Sequence, residues 1–210
     1  MSDGPRLQLE YADAAAAFVM RAWGLEPPAA MVVGSVRRRE PDVGDLEIIA
    51  PVGDPTPLFG GDPLYERIIA CVGSARADDM PEVLPLRGLN PGFKSASMTV
   101  SLYALAERRT LHLPVQIYRY DRGNRGWIEL MRTGPAEFGR WFLAEWKRRH
   151  RIPTDGNGSI DGWLVDANGE RVVTETEGDC FREMGLPVCP PERRRAFAEA
   201  QVSSWGRPAQ

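Results

Sequence analysis

Residues 33–47 read VGSVRRREPDVGDLE, and the apolar run IIA follows at 48–50. In a strand, side chains two residues apart point to one face. Asp45 and Glu47 therefore present two carboxylates side by side, with Leu46 and Ile48 turned to a core. Such a pair repels itself unless a cation lies between the two acids, and a hard ion such as Mg²⁺ or Mn²⁺ suits an all-oxygen donor set. Ser35 stands ten residues before Asp45. With Gly34 it forms a turn that lets the backbone approach a phosphate and offers a hydroxyl and an N–H. Arg37, Arg38 and Arg39 then supply charge for a polyphosphate. Each half has an ordinary explanation, a common turn and a solvated strand edge. Together, in this order, they match what metal-assisted nucleotidyl transfer requires.

Around this segment the pattern alternates between helix and strand. Residues 8–24 read as an alanine-rich helix with Leu9, Ala12, Ala16, Val19, Met20 and Trp23 at helical spacing, stopped by Gly24 and the Pro27-Pro28 pair. Residues 30–33 fit a buried strand and 45–50 a second one. Residues 51–63 read as a loop, 63–73 as a helix with Leu64, Ile68 and Cys71 on one side, and 74–92 as a loop. Strands are expected near 95–102 and 113–120, around the polar insert at 107–109. Residues 137–150, EFGRWFLAEWKRRH, form an amphipathic helix. Its stripe of Phe138, Trp141, Phe142 and Trp146 packs a core, and its basic C-terminal end matches the helix dipole. A hairpin is expected with strands at 160–165 and 170–174 turning at Asn168-Gly169, then a last helix over 192–202. The expected architecture is α/β (α+β): a first domain over 1–124 with a mixed sheet, flanking helices and the N-terminal helix, and a smaller α/β lobe over 125–210.

Composition narrows the class. With 210 residues, 43% of them hydrophobic and 26% charged, the chain buries a core. No stretch approaches the roughly 18 apolar residues of a membrane span, and the N-terminus lacks a signal-peptide pattern, so a cytoplasmic protein is expected. Three cysteines without CxxC spacing and two histidines indicate neither a disulfide frame nor a zinc cluster. A net charge of −3 gives no global attraction to nucleic acid. Lys94 and Lys147 are the only lysines among 26 basic residues, and arginine suits bidentate phosphate contacts.

The residues that carry the motif resemble the nucleotidyltransferase segment of the family X DNA polymerases, the DNA polymerase beta group. The match is GS-V-RR followed by GD-L-E, with the same spacing of ten from serine to first acid. The likeness continues in Arg132-Thr133-Gly134, which stands where the family has its Thr-Gly-Ser turn before a thumb helix. IDGWLVDANGER at 160–171 resembles the thumb hairpin, and FREMGLPVCPPER at 181–193 the family's ending. The resemblance spans about residues 30–195 and is nearest the short bacterial and phage forms, some of which carry Asp-x-Glu.

It implies a nucleotidyltransferase palm over 1–124 and a thumb over 125–210. Asp45 and Glu47 would hold both of the family's metal ions, Mg²⁺ or Mn²⁺. Gly34, Ser35, Arg38 and the backbone at Gly44 would hold the triphosphate of a nucleoside triphosphate, with Thr133 and Gly134 lining its sugar and base. The family's turn contains a cis peptide, so Gly134-Pro135 is either that cis bond or the start of the thumb helix. One departure bears on activity. The family's third carboxylate, on the neighbouring strand, falls at Gln116 of LPVQIY (113–118), which offers a neutral carbonyl and no base. Asp121 could replace it only if that strand bulges. No lyase domain or helix-hairpin-helix pair is visible, so DNA contacts are expected to be weak and local, at Lys94, Arg132, Arg140 and Arg148. The expected activity is nucleotide addition to a DNA 3′ end in repair or replication, impaired by Gln116, by a monomer. The alternatives are a non-catalytic nucleotide- or DNA-binding accessory protein and transfer to another acceptor.

Overall fold

In the computed structural model, which describes residues 6–52, 64, 66–68, 82–84, 95–104 and 109–205, the chain divides into two compact units, Met1–Arg119 and Tyr120–Gln210. Both mix helices with short strands, an α+β arrangement. No helix among the described residues is long and apolar enough to cross a membrane.

The first unit is built on a five-stranded sheet. Its strands are β2 (Met31–Val33), β4 (Leu46–Pro51), β5 (Glu82–Leu84), β6 (Ser95–Ala104) and β7 (Arg109–Tyr120, whose last residue opens the second unit), in the order β2-β4-β7-β6-β5. A two-stranded pair, β1 (Leu7–Gln8) with β3 (Asp42–Val43), lies beside it in the sequence. Helix α1 (Leu9–Ala22) buries Ala12, Ala15, Ala16 and Val19, the spacing of one helical face. That face joins Leu46, Ile48, Leu113, Val115 and Ile117 in one core. The helix ends at Gly24, whose φ of 60° lets Leu25 N–H reach back to Met20 O at 2.8 Å.

Two expectations change here. The loop expected over 74–92 contains a strand, Glu82–Leu84, because pairing with β6 (Val83 opposite Val100) overrides a prolyl-rich local sequence. Of the helix expected over 63–73, residues 64 and 66–68 are helical, with Leu64 and Ile68 buried, and the rest lies outside the described residues. Strands β6 and β7 pair without interruption from Ser95 opposite Tyr118 to Ala104 opposite Arg109. No bulge interrupts this paired stretch, which ends at Tyr118; Asp121 lies beyond it, in the second unit.

The second unit holds α3 (Arg125–Thr133), α4 (Ala136–Arg149), α5 (Glu177–Glu183) and α6 (Arg194–Trp205), with a three-stranded sheet of β8 (Ser159–Ile160), β9 (Trp163–Val165) and β10 (Arg171–Val172). The aromatic stripe of α4 is core. Phe138, Trp141, Phe142 and Trp146 cluster with Trp127, Leu130 and Phe181, and Phe142 meets Phe181 edge-on at 5.8 Å. Buried Cys180, its thiol pushed up to about 12 by burial, belongs to this core and is no nucleophile at neutral pH.

The hairpin departs from expectation. Residues 160–165 do not form one strand, because Asp161 and Gly162 turn the chain back with φ of 55° and 80°, pairing Ile160 with Trp163. The favoured two-residue turn is this Asp-Gly, not Asn168-Gly169. Asn168-Gly169 lies in a wider loop in which Asp166 Oδ1 accepts the N–H groups of Asn168 and Glu170 at 2.8 and 2.9 Å. The one cis peptide among the described residues is Pro27–Pro28, so Gly134–Pro135 is trans, with Pro135 just before α4.

On α4, Glu145 accepts from Arg148 Nε at 2.7 Å and NH2 at 2.6 Å and from Arg149 Nε at 2.7 Å. These bonds, Arg148's first, hold its carboxyl down from 4.5 to about 2. A depressed acid stabilises the fold above its unfolded pKa and loses that contribution as pH falls through the folded value. The window here runs from about 4.5 down to about 2. Glu145→Gln should therefore cost about 1 kcal/mol at pH 7, the shift being discounted for solvent screening. Urea titrations at pH 7 and pH 2 should show the difference from wild type at the first and not the second. An equal difference at both would mean that packing, not charge, is what Glu145 contributes.

Candidate active site

The turn from β2 into β4 brings the motif residues together. Strands β2 and β4 are antiparallel with Val33 opposite Glu47, so the residue after Val33 meets the side chain of Glu47. Gly34 sits at φ 68°, and a β-carbon built on it would collide with Glu47 Oε2 and stand 3.1 Å from Cδ. Only glycine allows both this conformation and this approach. The chain then makes one helical turn, α2 (Gly34–Arg37), and Arg38 N–H donates to Gly34 O at 3.1 Å. Inside that turn the Ser35 hydroxyl oxygen is buried with no hydrogen-bond partner among the described residues. A buried hydroxyl without a partner is costly, and a ligand oxygen would satisfy it.

Gly44 and Asp45 lead into β4, where Leu46 and Ile48 are fully buried and Glu47 is half-exposed on the opposite face. Strand β7 lies next to β4 in the sheet, and Gln116 on it donates through Nε2 to Asp45 Oδ2 at 3.3 Å. Tyr118, two residues on and on the same face, donates its hydroxyl to Gln116 Oε1. The amide is thus oriented with its NH₂ toward the carboxylate and its carbonyl engaged elsewhere. Burial raises the Asp45 carboxyl above its ordinary range, and the charges of Arg38 and Arg6 partly oppose that. Arg38 also reaches Glu40, with Nε at 3.4 Å.

Among the described residues no group of three or more His, Cys, Asp or Glu is placed to hold a metal ion. The residues that could hold a divalent cation are Asp45 and Glu47, with ligand oxygens to complete its shell. Gln116 turns an amide N–H, not an oxygen, toward Asp45, so as oriented it adds no ligand oxygen for a cation there.

The remaining expected residues belong to the second unit or lie outside the described residues. Thr133, buried, and Gly134, whose N–H donates to Leu130 O at 2.9 Å, end α3 in the second unit. Arg132 is exposed beside them. Arg140 and Arg148 are exposed on α4, paired with Glu137 at 3.0 Å and Glu145 at 2.6 Å. Lys94 lies outside the described residues. Two residues at the site escape the motif, Tyr118 and Arg6. Strand alternation from Gln116 points to Tyr118. Arg6 comes close only through the β1–β3 pairing, which a two-residue strand does not announce. No protein-family model matches this chain, and no curated protein matches it.

Proposed function

We propose that the first unit is a nucleotidyltransferase palm and that the chain transfers a nucleotide from a nucleoside triphosphate to a DNA 3′ end, using Mg²⁺ or Mn²⁺. The observation that supports this most is the close approach of Gly34 to Glu47, by which a phosphate bound at the turn would lie next to a carboxylate. Asp45 and Glu47 would hold the divalent ion, which when bound neutralises phosphate charge as the leaving pyrophosphate develops. Ser35 donates its otherwise unpartnered hydroxyl to a phosphate oxygen, and Arg38 adds a cation beside it. Attack of the 3′ oxygen on the α-phosphorus breaks the bond to pyrophosphate, which leaves, and the hydroxyl proton passes to solvent water. Gln116 accepts no proton at neutral pH, so this site lacks the base of a proficient polymerase, and slow transfer is expected.

A second reading has its own support: the hydrogen bonds from Tyr118 to Gln116 and from Gln116 to Asp45 satisfy this position as a structural element would, which favours nucleotide binding without transfer. Primer extension with Mg²⁺ and Mn²⁺, on templated and single-stranded ends, separates them. Asp45→Ala should abolish extension, and Gln116→Asp should raise it about 10–100-fold by supplying a base. Extension that survives Asp45→Ala would sink the enzymatic reading. If neither wild type nor Gln116→Asp extends a primer but Asp45-dependent triphosphate binding remains, the binding protein is left.

A further inference from the structure

We propose that the C-terminal ends of α4 and α5 form a docking site for an acidic peptide of a partner protein, one in which aspartates and glutamates flank an apolar residue. The site lies wholly within the second unit and does not depend on what the first unit binds. Two adjoining cavities open there. One, of about 780 Å³, is lined by Arg148, Arg149, Arg151 and Arg182, with Glu183 its one acid. The other, of about 420 Å³, has mostly apolar walls from Ala144, Ile152 and Pro153, with Lys147 beside them. Arg148 and Arg151 line both.

Internal pairing does not cancel this charge. Arg148 and Arg149 share a single carboxylate, that of Glu145, and Arg182 pairs with Asp179 at 2.7 Å. Lys147 donates to Thr154 O and Arg149 also to Met184 O, carbonyls that leave each cation its charge. The Arg151 side chain is exposed and makes no hydrogen bond or ion pair among the described residues. Its backbone position favours another residue. Arg151 N–H donates to Arg148 O at 3.4 Å and Ile152 N–H to Lys147 O at 2.9 Å, the paired bonds that close a helix through a left-handed residue. Glycine is usual there, and Arg151 sits at φ 55°. What arginine adds against that preference is a guanidinium where the two cavities meet.

Cations around an apolar recess complement a peptide whose acids flank an apolar side chain. A nucleic acid fits less well. Neither cavity is lined by Phe, Tyr or Trp, on which the bases of a single strand stack. The cations also gather at one helix end instead of along a stripe that follows a phosphate backbone.

Fluorescence anisotropy tests the site with a short labelled peptide of aspartates and glutamates around a central leucine, the same peptide with a central glycine, and an oligothymidylate of equal charge. The leucine peptide should bind the whole chain saturably, about fivefold more tightly than the glycine peptide, and more weakly as salt is raised. Arg151→Glu should weaken it at least about tenfold, and Arg151→Lys about threefold or less. Arg151→Gly separates binding from folding. It should unfold at a higher urea concentration than wild type, since glycine suits the left-handed position, yet bind the peptide about fivefold more weakly. Near-ultraviolet circular dichroism checks that each variant is folded. Peptide binding that is absent, equal for leucine and glycine, or unchanged by Arg151→Glu overturns the site. Oligothymidylate that outbinds the leucine peptide and is lost with Arg151→Glu overturns it in favour of a nucleic acid. Wild type that sediments as a dimer while Arg151→Glu is monomeric overturns it in favour of a second copy of this chain.

Discussion

Arg194→Ala is expected to destabilise the second unit by about 3–5 kcal/mol, the range for breaking a buried ion pair from one side. Arg194 is 0% exposed. Its NH1 lies 2.7 Å from Glu177 Oε1, its Nε donates to Cys189 O at 3.1 Å, and its guanidinium lies 5.2 Å over Phe138 and 5.8 Å from Phe181. Truncation removes the counter-charge of an acid that is only 7% exposed and the donor to a buried carbonyl, and it opens a void between two core rings. Urea denaturation followed by fluorescence of the buried Trp127, Trp141 and Trp146 measures the loss. The double variant Arg194→Met/Glu177→Gln should recover much of it, since an apolar side chain of similar length needs no counter-charge. A loss below about 1 kcal/mol for Arg194→Ala would mean that water reaches the pair.

Arg194 also shows why some of the fold was legible and some was not. The PPER run announced a helix start by its prolines, and helix α6 follows at Arg194–Trp205. Nothing in a run of three arginines said which one would be buried. That choice depends on the Phe138 and Phe181 rings and on Glu177, distant in sequence. Strong periodicity was readable: α1, α4 and the β4 alternation all follow from apolar spacing. Helix α3 was not, because Trp127, Leu130 and Thr133 sit among Arg and Glu residues in a segment too short to repeat. Helix α5 begins with a capping box, Thr176 and Asp179, that a Thr-x-x-Asp search would have found.

At the candidate site, the placement of Gly34, Ser35, Asp45 and Glu47 was legible because it depends on residues close in sequence, a turn and the strand after it. The expectation that the third position is filled by Gln116 came from aligning a strand, and the sheet order does set β7 beside β4. The orientation of its amide was not legible, since Tyr118 decides it. Arg6 was invisible for a different reason: its place depends on a two-residue strand whose stability comes wholly from docking.

Gly34→Ala tests whether the candidate site is built as described. Two effects are expected, and they separate. A non-glycine residue at φ 68° costs about 1–2 kcal/mol of stability. The new methyl also occupies the space of Glu47 Oε2, with Cδ at 3.1 Å and Cβ at 3.3 Å. A carboxylate at the end of a flexible side chain moves aside more cheaply than the backbone, so Glu47 swings off the face it shares with Asp45. On the proposed function, the result is a fold that survives and a cation site reduced to one acid, with Mn²⁺ and Mn²⁺-triphosphate binding weakened by at least about tenfold. Gly169 supplies the control, for it has φ 79° and nothing within 4 Å of a built β-carbon. Gly169→Ala should show a similar loss of stability and no change in binding. If the two variants lose stability and ligand alike, backbone strain explains both, and the contact between Gly34 and Glu47 has no functional part. If Gly34→Ala alone loses the ligand, and Gly34→Ala/Glu47→Ala binds no worse than Glu47→Ala, the effect runs through Glu47. The close approach of turn to carboxylate is then what the glycine is for.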